Sequence, residues 1–270
     1  MPLVETAYAK LNLALHVRRR REDGYHQLET LFAFVNAGDR LTARAAPQDE
    51  VRVVGEFAPA LTDPLGNLVA KALGVLPRAD GLAITLEKNL PVAAGLGGGS
   101  ADAGAVFRLV RERYGLPDGW RKRAARLGAD VPACVDSLPC IGRGTGADLE
   151  PVMNELAGTP VLLVNPRVPL STAKVFARWN GVDRGGLPGG GMRRAALNGR
   201  NDLEQPAIAL CPVIAEVLDT LRRTDGWLVR MSGSGATCFA LFEHCTARDE
   251  AQQRIRKQHP DWWTLSGALR

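Results

Sequence analysis

The chain has 270 residues, 46% of them hydrophobic and 23% charged, with a formal net charge of +5. These are the proportions of an ordinary soluble globular protein, long enough for one large domain or two modest ones, and no apolar run is long enough to span a bilayer. The first residues, Met1 to Glu5, lack the basic and apolar regions of a secretory signal, so a cytoplasmic protein is expected.

In chain order, Val4 to Val17 alternates loosely as a strand with Leu11, Leu13 and Leu15 on one face and Lys10 and Asn12 on the other. The run Arg18 to Arg21 is followed at once by Glu22 and Asp23, which suits a solvated turn better than a basic arm. Leu28 to Val35 reads as a second strand, with further strand-like runs at Leu41 to Arg44, Glu50 to Val54 and Leu82 to Glu87. Asn67 to Leu76 and Ala101 to Tyr114 carry helical spacing, and Pro117 to Trp120 opens a third helix. The character changes near Ala157 to Pro160, giving expected domains of 1–157 and 158–270. Beyond it, Val161 to Asn165 is a short buried strand and Gly185 to Gly191 a mobile surface loop. Cys211 to Arg222 reads as a helix, Leu228 to Ser232 and Cys238 to Phe242 as strands, and Ala247 to Gln258 as a last helix. Strands and helices mix without strict alternation, so an α+β fold is expected.

The five cysteines are scattered, and none forms a C-x-x-C pair. The four histidines are too dispersed to complete a zinc pattern. Free thiols in a reducing compartment are the plain expectation, and the mild positive field suits anionic small molecules such as nucleotides.

Between a strand and a helix lies Pro91-Val92-Ala93-Ala94-Gly95-Leu96-Gly97-Gly98-Gly99-Ser100. Glycines admit positive φ and let successive N–H groups turn towards one ligand, and a helix start adds unpaired donors and the positive end of its dipole. Phosphate is the natural ligand of such a place. No lysine follows as a P-loop requires, and the G-x-G-x-x-G dinucleotide fingerprint fails at its third glycine. Alone, the stretch leaves a phosphate site and a plain connecting loop both open.

Three other stretches bear on that choice: Ala9-Lys10-Leu11-Asn12-Leu13, Leu127-Gly128-Ala129-Asp130-Val131-Pro132, and the second glycine loop from Arg230 to Thr237. Singly these read as a solvated strand lysine, a turn aspartate and a tight hairpin. Together with the first loop and Asp23-Gly24-Tyr25-His26-Gln27-Leu28-Glu29-Thr30-Leu31, their order resembles the GHMP kinase superfamily from about Ala7 to Leu241. Within it, the resemblance is to the branch that phosphorylates 4-diphosphocytidyl-2-C-methyl-D-erythritol. The chain departs from the pattern at Tyr8, where proline is usual, at Ala133, where phenylalanine is, and at Ser171-Thr172, where Pro-Thr is.

The resemblance implies a two-domain fold. Its N-terminal part would be like domain 2 of ribosomal protein S5, its C-terminal part a ferredoxin-like α/β sandwich, with the substrate site in the cleft between. It implies transfer of the γ-phosphoryl group of ATP to the C2 hydroxyl of the acceptor, with Asp130 as general base and Lys10 stabilising negative charge. Asn12 would orient the hydroxyl, and Tyr25, His26, Thr172 and Phe176 would contact the cytidyl substrate. The loop from Pro91 through Val92, Ala93, Ala94, Gly95, Leu96, Gly97, Gly98, Gly99 and Ser100 to Ala101 would hold ATP, with Ser100 a contact for Mg²⁺. No nucleic-acid or membrane partner is expected, and the chain would be a monomer or weak homodimer. Two alternatives stand beside this reading. One is a GHMP kinase for another alcohol, such as homoserine or a mevalonate-like acid; the other is a nucleotide-binding regulator without turnover.

Overall fold

The computed structural model describes residues 2–61, 63 and 66–270. In chain order the elements are β1 (Leu3–Arg20), β2 (His26–Ala46), β3 (Glu50–Val54), α1 (Leu68–Val75), β4 (Gly81–Glu87), α2 (Gly98–Tyr114), α3 (Trp120–Leu127) and α4 (Val131–Asp136). There follow β5 (Cys140–Gly144), β6 (Asp148–Pro151), β7 (Pro160–Asn165), α5 (Thr172–Ala177), α6 (Met192–Asn198), α7 (Glu204–Leu210), α8 (Val213–Arg222), β8 (Leu228–Met231), β9 (Cys238–Leu241), α9 (Cys245–Gln258) and β10 (Trp263–Ala268). They group into two compact units, each drawn from three stretches of chain. One comprises Met1–Lys10, Gly38–Val92 and Gly97–Ser137, the other Leu11–Ala37, Ala93–Leu96 and Leu138–Arg270.

In the first unit the C-terminal half of β2 pairs antiparallel with β4, Arg40 opposite Glu87, and β4 pairs parallel with β3. Helix α2 buries an apolar face of Val106, Phe107, Leu109 and Val110. Gly104 lets α4 approach it, because a Cβ there would lie 2.5 Å from the Cys134 carbonyl oxygen. Arg108 of α2 reinforces the contact by donating to Cys134 O at 2.6 Å and Ser137 Oγ at 3.1 Å. The two helices begin at the same end of the unit: a Cβ on Gly128 would sit 3.8 Å from Ser100 Oγ.

In the second unit Leu28 to Phe32 of β2 pair with β5, which pairs with β6, all antiparallel. A separate antiparallel sheet runs β10-β7-β9-β8. Its core joins Leu162, Val164, Cys238 and Ala240 to Ile214, Val217 and Leu221 of α8 and Ile255 of α9.

Several local expectations are corrected. The two runs at 28–35 and 41–44 are one strand, because Gly38 has no side chain to block the Ala7 carbonyl and Asp39 is satisfied inside the unit. Helix α2 begins at Gly98 rather than Ala101, since the glycines already take helical geometry after Gly97 at φ 61°. The expected helix from Cys211 starts only at Val213; α7 ends at Leu210 and Pro212 stands at the N-cap of α8, where its missing N–H costs nothing. Four of the five thiols are buried and Cys245 is exposed. Among the described residues no helix is long and apolar enough to cross a membrane.

The glycine run from 185 is anchored at its start. Gly185 O accepts from Arg200 Nη2 at 2.8 Å and pairs with His16 Nδ1 at 3.0 Å, while Leu187 N donates to Glu29 Oε2 at 2.9 Å. His16 is fully buried, and its Nε2 accepts the Arg200 N–H at 3.1 Å, which requires the neutral ring protonated on Nδ1. Burial first, then the Arg200 charge, lowers its affinity for a proton below the usual histidine value. The unfolded chain therefore binds the proton more readily. The stabilisation is fully present above the ordinary histidine pKa and is lost as pH falls through the lowered folded value. Thermal denaturation at pH 7.5 and pH 5.5 is expected to show a larger acid-side fall in Tm for the wild type than for His16→Gln. Equal falls in the two proteins would remove His16 from the acid response.

Candidate active site

Lys10 lies in β1 with its side chain turned inward, only 4% exposed although it stands among apolar residues. A buried ammonium needs a partner. It has one in Asp130, whose Oδ2 is 3.1 Å from Lys10 Nζ. Asp130 occupies the N-cap of α4 but makes no side-chain cap bond, so its carboxylate is left to face Lys10. About a third of that carboxylate side chain remains exposed, at 32%.

The glycine loop closes over this pair. A Cβ on Gly97 would lie 2.9 Å from Lys10 Cε and 3.7 Å from Asp130 Oδ2, so any larger residue there would press on both. Gly97 O accepts the first intrahelical bond, from Ala101 N at 2.8 Å. The amides of Gly98, Gly99 and Ser100 precede any intrahelical acceptor and carry the positive end of the α2 dipole. Such amides hold phosphate well. Lys10, Asp130 and residues Gly97 to Ala101, Ser100 among them, thus converge within the first unit.

Behind the loop is a cluster that the sequence reading missed. Lys88 Nζ bonds Asp39 Oδ2 and lies 2.8 Å from Asp102 Oδ2. All three side chains are buried. Burial disfavours the Lys88 charge, yet Asp102 and Asp39 beside it outweigh that and hold its proton more firmly than usual. Burial pushes the Asp102 carboxyl up to about 7 against the opposing pull of Lys88. Its Oδ1 has no hydrogen-bond partner among the described residues. Asp39 inside β2, Lys88 just after β4 and Asp102 in α2 carry no distinctive spacing, so nothing in the local sequence marked them.

In the second unit the preceding part of the loop is fixed to the other glycine turn. Ser232 Oγ donates to Gly95 O at 2.8 Å, and Thr237 N donates to Ala94 O at 3.1 Å. Gly95, at φ 76°, packs against the backbone of Ser232 and Gly235. Asn12 N donates to Ser232 Oγ at 3.2 Å, and its side-chain Nδ2 donates to Thr30 Oγ1 at 2.7 Å. Its Oδ1 lies 3.2 Å from where a Cβ on Gly233 would be.

The expected base-binding residues share this unit. The His26 and Phe176 rings have centroids 4.9 Å apart, and Trp179, which the sequence reading did not single out, meets His26 edge-on at 5.7 Å. Trp179 follows Phe176 by three residues, a helical spacing that could have drawn attention to it. Both Trp179 Nε1 and His26 Nε2 are buried without a hydrogen-bond partner among the described residues. Burial, then the charge of Arg20, lowers the His26 pKa and favours its neutral ring. Tyr25 stands beside it 66% exposed, on a turn that Arg21 N closes by donating to Tyr25 O at 2.8 Å. Thr172 Oγ1 is 2.9 Å from Ser234 Oγ.

The first unit's features suit phosphoryl transfer: amides for phosphate, with a buried cation and a carboxylate at one point. The second unit, by itself, offers aromatic surface for a flat group. Residues 67–138 match the model of the GHMP kinases N terminal domain, and residues 184–261 match that of GHMP kinases C terminal. The chain is 68% identical over its full length to a 4-diphosphocytidyl-2-C-methyl-D-erythritol kinase of Novosphingobium aromaticivorans, covering 94% of that protein. It is 61% identical to the protein of the same name from Erythrobacter litoralis, covering 99% of each chain. A crystal structure of 4-(cytidine 5'-diphospho)-2C-methyl-D-erythritol kinase superposes with a TM-score of 0.80 at 32% identity, covering 99% of each chain. A homoserine kinase from Cytophaga hutchinsonii shares the fold, with a TM-score of 0.70 at 17% identity and coverage of 99% of this chain and 95% of its own.

Proposed function

Since the chain belongs to the GHMP kinases, and within them to the 4-diphosphocytidyl-2-C-methyl-D-erythritol kinases, we infer that it transfers the γ-phosphoryl group of ATP to the C2 hydroxyl of that acceptor. It is a small-molecule kinase of isoprenoid precursor synthesis. The observation that carries the chemistry is the Lys10–Asp130 contact at 3.1 Å under a glycine turn that has room for no side chain at Gly97.

On this reading Asp130 accepts the hydroxyl proton as the oxygen attacks in line. Lys10 stabilises the negative charge on that oxygen and on the phosphoryl group in transit. Asn12, held by its Nδ2 bond to Thr30, orients the acceptor hydroxyl. The amides of Gly98, Gly99 and Ser100 hold the phosphates, and residues Pro91 to Ala101 form the nucleotide site. Mg²⁺ would shield phosphate charge. Among the described residues there is no cluster of three or more His, Cys, Asp or Glu side chains able to hold it. The ion would therefore be carried mainly by phosphate and water, with Ser100 Oγ as a protein ligand.

Cytosine is assigned to Tyr25, His26 and Phe176, with Thr172 contacting the substrate. An aromatic ring left 66% exposed has apolar surface to gain by stacking on a base. The test is ADP release with ATP and a panel containing the cytidyl acceptor, homoserine and mevalonate. Turnover is expected with the first alone; preference for another alcohol overturns the reading. Tyr25→Ala is expected to raise KM for the cytidyl acceptor about tenfold, as one lost stacking contact of about 1–3 kcal/mol allows, with KM for ATP within twofold. Equal changes in both would remove Tyr25 from the base site.

A further inference from the structure

Three charged side chains that the proposed chemistry does not use meet inside the first unit, and each comes from a segment that frames the glycine turn. Lys88 directly follows β4, Asp39 lies in β2, and Asp102 is four residues beyond Gly98, hence on the same face of α2. Asp39 Oδ1 accepts the N–H groups of Asn89 at 2.6 Å and Leu90 at 2.7 Å, the residues that lead into Pro91. Asp39 Oδ2 takes Lys88 Nζ, which also reaches Asp102 Oδ2 at 2.8 Å. One ammonium therefore joins the entry to the nucleotide loop with the opening of its helix. The cluster also abuts the loop itself, because a Cβ on Gly98 would lie 3.1 Å from Lys88 Nζ and 3.8 Å from Asp39 Oδ2.

Holding three charges out of water is costly, and apolar side chains of similar volume commonly bind elements together as well or better. What a hydrogen-bonded ion cluster adds is direction: it fixes how far α2 advances and how it is rotated about its axis. The reacting phosphate has little tolerance for error there, since a misplacement of about 1 Å costs roughly 10²-fold in rate.

We propose that Lys88, braced by Asp39 and tied to Asp102, is a positioning residue that sets the first turn of α2 so that the amides of Gly98, Gly99 and Ser100 meet the nucleotide phosphates. The tie to Asp102 is the part that can be cut while Lys88 keeps its bond to Asp39. The proposal rests on the assignment of ATP to this loop.

The test is equilibrium binding of ATP to the full chain, without any acceptor, followed by steady-state kinetics with both substrates. Asp102→Ala removes the tie. It is expected to weaken ATP binding at least tenfold and raise KM for ATP in step, leaving KM for the cytidyl acceptor within twofold. Asp102→Asn, whose amide oxygen can still accept from Lys88, is expected to recover ATP affinity to within threefold of wild type. Asp102→Ser, whose hydroxyl stops short of Lys88, is made in parallel and should behave as the alanine variant does. Folded Asp102→Ala or Asp102→Ser protein with wild-type ATP affinity overturns the proposal, as does an equal rise in both KM values. Failure of asparagine to recover binding overturns it too. If neither the alanine nor the serine variant folds, the cluster is a requirement of folding and the positioning role is wrong. Wild-type protein that binds no ATP instead strikes down the assignment of the loop.

Discussion

Asp130→Asn is expected to lower kcat by about 10³-fold, within the roughly 10²–10⁴ that a positioned general base supplies. That corresponds to about 4 kcal/mol of transition-state stabilisation. Asparagine matches aspartate in shape and keeps an oxygen that can accept from Lys10 at the site of the 3.1 Å contact, but it cannot take the proton of the acceptor hydroxyl. ATP binding is therefore expected to stay within threefold of wild type, measured by equilibrium titration, while single-turnover ADP formation nearly stops. The cost to folding should be small, because the carboxylate side chain is 32% exposed and water already screens the ion pair. Wild-type turnover in this variant would end the assignment of Asp130 as base. Loss of ATP binding with no separate loss of rate would make it a binding residue instead.

Lys10→Met is expected to cost about 10²–10³-fold in kcat, the range for removing one donor aimed at developing charge in a water-poor site. Methionine follows the apolar stem of lysine, so packing beneath Gly97 is kept and the loss reports the missing ammonium. Lys10→Arg should not restore the rate. The guanidinium is larger and its donors fork in a plane, whereas Lys10 Cε already lies 2.9 Å from where a Cβ on Gly97 would be. In the proposed mechanism Lys10 and Asp130 act on one oxygen, so the double variant Lys10→Met/Asp130→Asn should lose far less than the product of the single losses. Purely multiplicative losses would mean the two side chains work independently. A single Lys10→Met variant within fivefold of wild-type kcat would remove Lys10 from the transition state.

The motifs were legible because their chemistry constrains neighbouring residues in sequence. A turn whose backbone N–H groups converge on one ligand favours closely spaced glycines, so Gly95 to Ser100 stands out in any reading of the chain. The turn and strand around Tyr25 and His26 are equally local, and so is the Gly128 to Pro132 stretch that starts α4. Element boundaries were less legible. The break between α7 and α8 depended on Pro212, and the continuity of β2 through Gly38 depended on a carbonyl from β1 that is remote in sequence.

By itself the sequence determined which pieces the protein owns: two glycine turns, a lysine and an asparagine on one strand, an aspartate before a short helix, and aromatic residues at Tyr25, His26 and Phe176. Hydrophobic period and glycine placement are local properties, and they survive in a one-dimensional reading. Only the tertiary structure decided that Lys10 is buried against Asp130, that Trp179 flanks His26, and that Lys88 is shared between Asp39 and Asp102. Those partners are separated by 14 to 153 residues in the chain. The free energy of a buried charge depends on which group stands within hydrogen-bond reach of it, and side-chain type and spacing do not carry that information.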